Sequence, residues 1–484
     1  MTNSEIKRVL DLRFHGDLKL TLSLQFEDIA NRCREPFNDL ITELSYPNLD
    51  NLDWWVQAPA SRNTLASPFF HNFCALHLVE DLLSKQDFKF ELVIVDTPEM
   101  KKAIEKLIAE MGEHYCKVRY SLLDFHLIRS LKTSELAIYI YGLHRLLQRI
   151  IARTTRSSDS SGLTNKTINL IDTFASADYV SDDRWYGMLW KSMSREQKSS
   201  TFFVPTVVNT SIKRMRQMYI SLRKDERNIL IKDDFLKIDD LLYACMFRGR
   251  LRKINLNKVL VCRYNISELV VEEWKTTKDI PTIIESILNY RFILRLKESG
   301  QRVRLAIDWF EGQSIDKSWN LALNKYYPNV TRVGYRAYES FPFYLCSYPI
   351  PIEREAAVIP DIIAVQGQGY ISTVKEFLPE LEVIVIPSFR SHHVWNADNA
   401  AEDKCQDIFT MLVTLPISEH SSARILEYLI DSQKAINTED TQIHYLIKTH
   451  PTLTARSVLR KVQRKLPNEL KFTDERSFSV LLRK

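Results

Sequence analysis

Glycine is scarce here: the chain has 484 residues and 11 of them are glycine. So low a content argues against collagen-like segments, repeats and most glycine-rich phosphate loops, and no P-loop motif occurs. The seven cysteines (Cys33, Cys74, Cys116, Cys245, Cys262, Cys346 and Cys405) are scattered, odd in number and contain no CxxC pair. That pattern fits reduced thiols in a cytosolic chain, and neither a zinc site nor a disulfide framework is expected from it. No apolar run is long enough to span a bilayer. Met1 to Leu20 mixes charges and lacks an apolar centre, so no signal peptide is expected. The formal charge of +5 is spread over 66 basic and 61 acidic residues. It permits an anionic partner, but the interspersed signs do not call for nucleic acid.

What is present is the composition of an ordinary globular protein, 45% hydrophobic and 26% charged, with enough length for about two or three domains. An amphipathic helix is expected from about Glu27 to Leu44. Leu52-Asp53-Trp54-Trp55-Val56 reads as a first strand, followed by a polar turn through Ser61, Arg62 and Asn63 and a helix after Pro68. Phe90 to Asp96 is a β-branched run, and Thr97-Pro98-Glu99 opens a helix with a cap at Thr97. Strand then alternates with helix, which implies a parallel sheet. Further strands are expected at Thr167–Phe174, Thr201–Val208, Asn228–Lys232, Arg302–Trp309, Asn329–Tyr335, Asp361–Val365 and Leu381–Pro387. Leu122 to Ala152 reads as two helices. In the second, Leu143, Leu146, Leu147, Ile150 and Ile151 form an apolar stripe opposite His144, Arg145, Arg149 and Arg153. Such a helix either packs on the sheet or lies on an anionic membrane surface.

The stretch Asp308-Trp309-Phe310-Glu311-Gly312-Gln313 closes a strand, and Ile315, Trp319 and Ala322 recur beyond it at helical spacing. A carboxylate thus stands at the carboxyl end of a strand, where open α/β sheets bind ligands, and the glycine after it allows close approach. Glu311 is the candidate general base. The competing reading is a helix N-terminal acid that complements the dipole, worth about 0.3–1 kcal/mol. Gln313, Asp316, Lys317 and Asn320 form a polar face suited to sugar hydroxyls or to solvent. Ser61-Arg62-Asn63 would line the same cleft, with Arg62 either holding an anionic ligand or pinning its loop.

His392 to Lys404 reads as a polar linker to a second domain. There the strand Phe409–Pro416 leads through Ser421 and Ser422 into a helix from about Ala423 to Gln433, a helix start able to bind phosphate. The strand Ile443–Lys448 ends in Lys448, Thr449, His450 and Pro451. An imidazole beside a helix start would stabilise a departing phosphate without a metal; a histidine at a strand end also serves as a structural hydrogen-bonder.

The Trp-Trp segment with Ala60-Ser61-Arg62-Asn63, the block Trp309-Phe310-Glu311-Gly312-Gln313 to Lys317, Arg332-Val333-Gly334-Tyr335 and the Lys448-Thr449-His450-Pro451 turn resemble bacterial surface carbohydrate (capsule and O-antigen) biosynthesis proteins. These are similar to GT-B glycosyltransferases that use CMP-activated acid sugars. The resemblance runs from about Leu52 onward. Phe310 stands where the stricter motif has a second acid. The resemblance implies an α/β fold of two Rossmann-like domains. One is an N-terminal acceptor-side domain over residues 1–398 with a helical insertion at about 121–165. The other is a C-terminal nucleotide-binding domain over 405–484, expected to be short or truncated. It further implies Glu311 as base, a nucleotide site of His450, Pro451, Lys448, Thr449, Ser421 and Ser422, and an acceptor or sugar site of Ser61, Arg62, Asn63, Gln313 and Lys317. No cofactor and no metal are implied, since the nucleotide sugar is a substrate. The other expected partner is a glycan or lipid-linked acceptor, with peripheral contact at the inner face of the cytoplasmic membrane. A nucleotide-sugar epimerase of similar architecture and a non-catalytic accessory protein of the assembly machinery are the alternatives.

Overall fold

The structure, a computed structural model, describes residues 9–473 apart from 15–17, 19, 88, 113–115, 121–125, 157–165, 178–179, 181–184, 209, 278, 391–408, 437–442, 451–452 and 463. The chain divides into two compact units, Met1–Arg390 and Ser391–Lys484. The Asn-rich linker and both expected domain boundaries, 398 and 405, lie outside the described residues.

The first unit is α/β but holds two parallel sheets where a single Rossmann-like sheet was expected. The smaller has β1 (Val9–Asp11), β2 (Leu92–Val95) and β3 (Lys117–Tyr120) in that order. The helix Pro98–Glu110 follows β2 as its signals require: Pro98 takes the first turn and the Thr97 hydroxyl accepts from the Met100 amide at 3.3 Å. The larger sheet begins with β4 (Thr167–Ala175) and β5 (Thr201–Val207). After a hairpin of β6 (Leu260–Val261) and β7 (Tyr264–Asn265), the chain returns to it with β8 (Arg302–Trp309), β9 (Thr331–Arg336), β10 (Ile362–Val365) and β11 (Glu382–Val385). Its order is β11-β10-β9-β8-β4-β5, with every pair parallel. The chain steps from β4 outward to β5 and then starts the other half at β8, so the topological switch point lies between β4 and β8.

Several elements differ from the sequence reading. Leu52–Trp55 is one helical turn, with Asn51 capping it through the Asp53 amide at 3.0 Å. Both tryptophans are fully buried, and their indole N–H groups donate to Ser45 Oγ and Leu49 O, each at 2.9 Å. An apolar run this short looks alike as strand or helix, and the cap with the two indole bonds decides it. The N-terminal amphipathic stretch is two helices, Leu20–Arg32 and Arg34–Ser45, which break at Cys33. His126–Thr154 is one helix instead of two. Arg145 turns inward and pairs with Asp233 at 3.3 Å and Glu285 at 2.7 Å, while Arg149 and the exposed Arg153 donate to the Leu236 carbonyl. Leu136, Tyr139, Ile140, Leu143 and Ile150 are exposed. Asn228–Lys232 is no strand; it makes a single bridge, Phe203 to Ile229, before a 3₁₀ turn at Lys232–Asp234.

The second unit is a small parallel sheet of β12 (Phe409–Thr414), β13 (Ile443–Lys448) and β14 (Leu470–Phe472), in that order. The helices Glu419–Ile436 and Ala455–Leu459 accompany it, and Leu426, Ile430, Tyr445, Ile447 and Val458 form its core. β14 was not foreseen.

Candidate functional site

A cavity of about 450 Å³ opens at the carboxyl ends of β4, β5 and β8, the crevice where doubly wound sheets bind ligands. Phe174 ends β4 on one side, Thr206 and Val207 end β5, and Trp309 ends β8. Glu311, Gln313 and Asp316 come from the turn into the helix Ser314–Tyr326; Tyr141 and His144 reach in from the long helix His126–Thr154. A wider groove of about 610 Å³ lies over residues 46–53, Tyr243 and Lys325, but no end of the large sheet opens into it.

The turn itself explains why Glu311 faces the cavity. Gly312 has φ +74°, and a Cβ there would sit 1.8 Å from the Cys346 carbonyl oxygen, so only glycine lets the chain double back at this point. The amides opened at the helix start are met by Asp316, whose Oδ2 accepts from Glu311 N at 2.9 Å and Gln313 N at 3.0 Å. The acid that caps the helix start is therefore Asp316. Glu311 is left half-buried, with Oε1 accepting from the Trp309 indole at 2.8 Å and Oε2 from the Gln313 amide. Burial raises the Glu311 pKa, while the Trp309 and Gln313 donors and the Arg390 charge pull against it. Gln313 also donates to the Tyr344 hydroxyl at 3.0 Å.

Beneath Glu311 lie more carboxyls. Ile171 pairs with Ile307 across β4 and β8, so Asp172 and Asp308 come next on adjacent strands, and both are 2% exposed. Burial pushes Asp308 up to about 8, helped by the nearby Asp172 and opposed by the Asn320 amide, which donates to Oδ2 at 2.8 Å. Asp308 Oδ1 has no hydrogen-bond partner. Asp172 is pushed up to about 6 by burial, against Lys232, whose Nζ lies 3.7 Å away. Burial also raises Asp316 far above the carboxylate range, with Asp308 and Glu311 adding to it. Neighbouring acids in so dry a place cannot all ionise, and Asp308, at about 8, holds its proton at neutral pH. On the opposite wall His144 stacks on Tyr141 at 5.8 Å; burial and Arg145 lower its pKa, so its ring is neutral at pH 7, and Nδ1 is buried without a partner.

No known protein family, curated protein or solved structure matches the chain.

Of the candidate base, the polar helix face and the acceptor-side residues singled out in the sequence, Glu311, Gln313 and Asp316 line the cavity, and Ser61, Arg62, Asn63, Lys317 and Asn320 do not. Lys317 is fully buried in an ion pair with Glu353. Arg62, 1% exposed and in a left-handed conformation at φ 55°, shares the same carboxylate at 2.8 Å and donates to Tyr348 O at 2.7 Å and Asn38 Oδ1 at 3.0 Å. The pinning role is the one it plays. Ser61 is buried, with its hydroxyl on the Ala58 carbonyl at 2.9 Å, and the Asn63 side chain accepts from the Leu65 and Ala66 amides. These residues were expected in a strand's exit loop; with Leu52–Trp55 helical, that loop does not exist.

In the second unit, β12 and β13 end side by side, Thr414 beside Lys448, so Lys448, Thr449 and His450 gather where β12 hands over to the helix Glu419–Ile436. Ser421 is exposed and its amide donates to Ser418 Oγ at 3.2 Å, whereas the buried Ser422 hydroxyl donates to the Pro416 carbonyl at 2.9 Å. The His450 carbonyl accepts from the Leu453 amide at 2.9 Å. Pro451 lies outside the described residues. Glu311 and His450 belong to different units.

The sequence reading undervalued Asp172, Asp308 and the His144–Tyr141 wall. Strand-terminal acids on both β4 and β8 were the available signal. That these strands are neighbours, with the long helix folded over their ends, is a matter of topology.

Proposed function

We propose that the protein is a glycosyltransferase of surface polysaccharide biosynthesis, transferring sugar from a nucleotide-activated donor to a glycan or lipid-linked acceptor without need of a metal, with Glu311 as the proton-transfer group. The observation that carries this reading is the placing of Glu311. It is a carboxylate of raised pKa at the mouth of a switch-point cavity, and Asp316 relieves it of the helix-capping duty. A base of this kind takes the proton of an attacking hydroxyl, and a pKa lifted toward neutrality suits that work. Trp309 and Tyr141 give the cavity aromatic faces, and Gln313 and His144 give it neutral polar groups, a lining suited to a sugar ring. The CMP-linked acid sugar as donor and the second unit as its holder, through Lys448, Thr449, His450 and the helix start at Ser421, rest on the family resemblance. The same reading puts the protein in the cytoplasm beside the membrane, with the exposed Leu136, Tyr139, Ile140, Leu143 and Ile150 toward the bilayer.

The test uses the purified full chain, CMP for calorimetry and a CMP-linked acid sugar for turnover. Glu311→Gln should lower turnover by roughly 10²- to 10⁴-fold and leave CMP binding unchanged. Full activity in that variant would remove Glu311 from the chemistry. An isomerised sugar formed without acceptor would identify an epimerase, and absence of nucleotide binding would favour the accessory protein.

A further inference from the structure

Away from the cavity, three unlike donors converge between the helix Phe69–Ser84 and the β6–β7 hairpin. His77 and Glu80 stand one turn apart on the helix, and Cys262 occupies the hairpin turn. Cys262 Sγ is 3.2 Å from Glu80 Oε2 and 3.6 Å from His77 Nδ1, and His77 Nδ1 is 3.5 Å from the same carboxylate oxygen. A tetrahedral zinc ion holds sulfur at about 2.3 Å, nitrogen at about 2.0–2.1 Å and oxygen at about 2.0–2.2 Å, which sets its ligand atoms roughly 3.3–3.7 Å apart. The three observed separations fall close to those tetrahedral edges. They form one face of a coordination shell, and each residue is half-buried, so the fourth position can open to water.

We propose that His77, Glu80 and Cys262 bind a zinc ion that ties the hairpin to the helix. The mixed sulfur, nitrogen and oxygen set suits zinc over magnesium or calcium, which prefer oxygen alone. The Cys262 thiol donates to Glu80 without the metal. Binding breaks the S–H bond, forms the Zn–S bond and releases that proton to solvent, so affinity rises with pH. The backbone supports the placement. Cys262 and Arg263 take φ of 45° and 65° in the two-residue turn joining Val261 to Tyr264, positions usually given to asparagine and glycine. A cysteine held there is poised over the helix at some conformational cost, and such strain gathers at functional sites. The buried Cys33 lies near enough to Cys262 to act on it electrostatically.

The experiment uses the full chain with zinc or cobalt as the probe. One equivalent of zinc should bind, raise the melting temperature and, with cobalt in its place, give the near-ultraviolet charge-transfer band of a thiolate ligand. Cys262→Ser should abolish that band and weaken zinc binding by ~100-fold or more, since loss of an outer-shell partner alone costs about 10- to 100-fold. Its metal-free circular dichroism should match the wild type, and Cys116→Ser should leave binding and band unchanged. If Cys262→Ser does not fold, His77→Asn carries the affinity comparison: zinc binding should weaken by a similar factor while the Cys262 thiolate band persists at saturating cobalt, and unchanged zinc affinity in His77→Asn overturns the proposal. The proposal falls if the wild type takes up no zinc, or if Cys262→Ser binds zinc as tightly and shows the same cobalt band.

Discussion

Asp308 is a carboxyl that the fold keeps protonated. Its pKa moves from 3.8 to about 8, chiefly through burial. Between those values the folded chain holds a proton that the unfolded chain has released, so stability falls as pH rises through the window and levels off above about 8. A shift of that size disfavours folding by roughly a few kcal/mol at neutral pH. Asp172, raised to about 6, adds the same sign over the lower part of the window. The Asn320 amide needs an acceptor at position 308, and asparagine supplies one without the titration. Asp308→Asn should therefore unfold at a higher urea concentration than the wild type at pH 8, with the gap closing toward pH 4. Parallel stability profiles for the two proteins would show that Asp308 is not the group that titrates.

At the scale of elements, β8, its turn and the helix Ser314–Tyr326 act as one piece, and Gly312 is the joint. Gly312→Ala meets both a left-handed φ and the Cys346 carbonyl, so it should cost at least about 2 kcal/mol in urea unfolding. A change below about 0.5 kcal/mol would mean that the turn relaxes freely. This strand-turn-helix was legible because three local signals agree: alternation in Arg302–Trp309, a glycine, and Ile315, Trp319 and Ala322 at helical spacing. The same agreement made β2, with its Thr97-Pro98 cap, easy to read. Where one signal stood alone, the reading failed. Trp54 and Trp55 are apolar in either state, and a capping asparagine with two indole bonds made them helical. The basic face of Arg145, Arg149 and Arg153 left packing and a membrane surface both open because sequence cannot show that Asp233, Glu285 and the Leu236 carbonyl are their partners. Arg62 and Lys317 looked like ligand contacts for a similar reason, since their shared partner, Glu353, is far off in the chain. Glu311 escaped that fate because its partners, Trp309, Gln313 and Asp316, are all within five residues of it.

The molecule is two units, the first with two parallel sheets and the second with one, each with a core of its own of a kind that can fold alone. The proposed function divides its labour between them: Glu311 and the acids beneath it in Met1–Arg390, the phosphate-binding groups Lys448, Thr449 and His450 in Ser391–Lys484. That division can be tested by expressing residues 1–390 by themselves. The fragment should unfold cooperatively and keep the Asp308-dependent slope of stability against pH, because every residue that raises the Asp308 pKa lies within it. It should keep the zinc response for the same reason, as His77, Glu80 and Cys262 are all inside. What it should lose is CMP binding, and with it turnover of the CMP-linked sugar. A fragment that folds, retains the pH slope and still turns over the donor at the full rate would show that the nucleotide is held in the first unit, and the cavity below Glu311 would then have to hold the donor and acceptor alike. A fragment that folds and binds no CMP leaves the phosphate with His450 and the proton with Glu311.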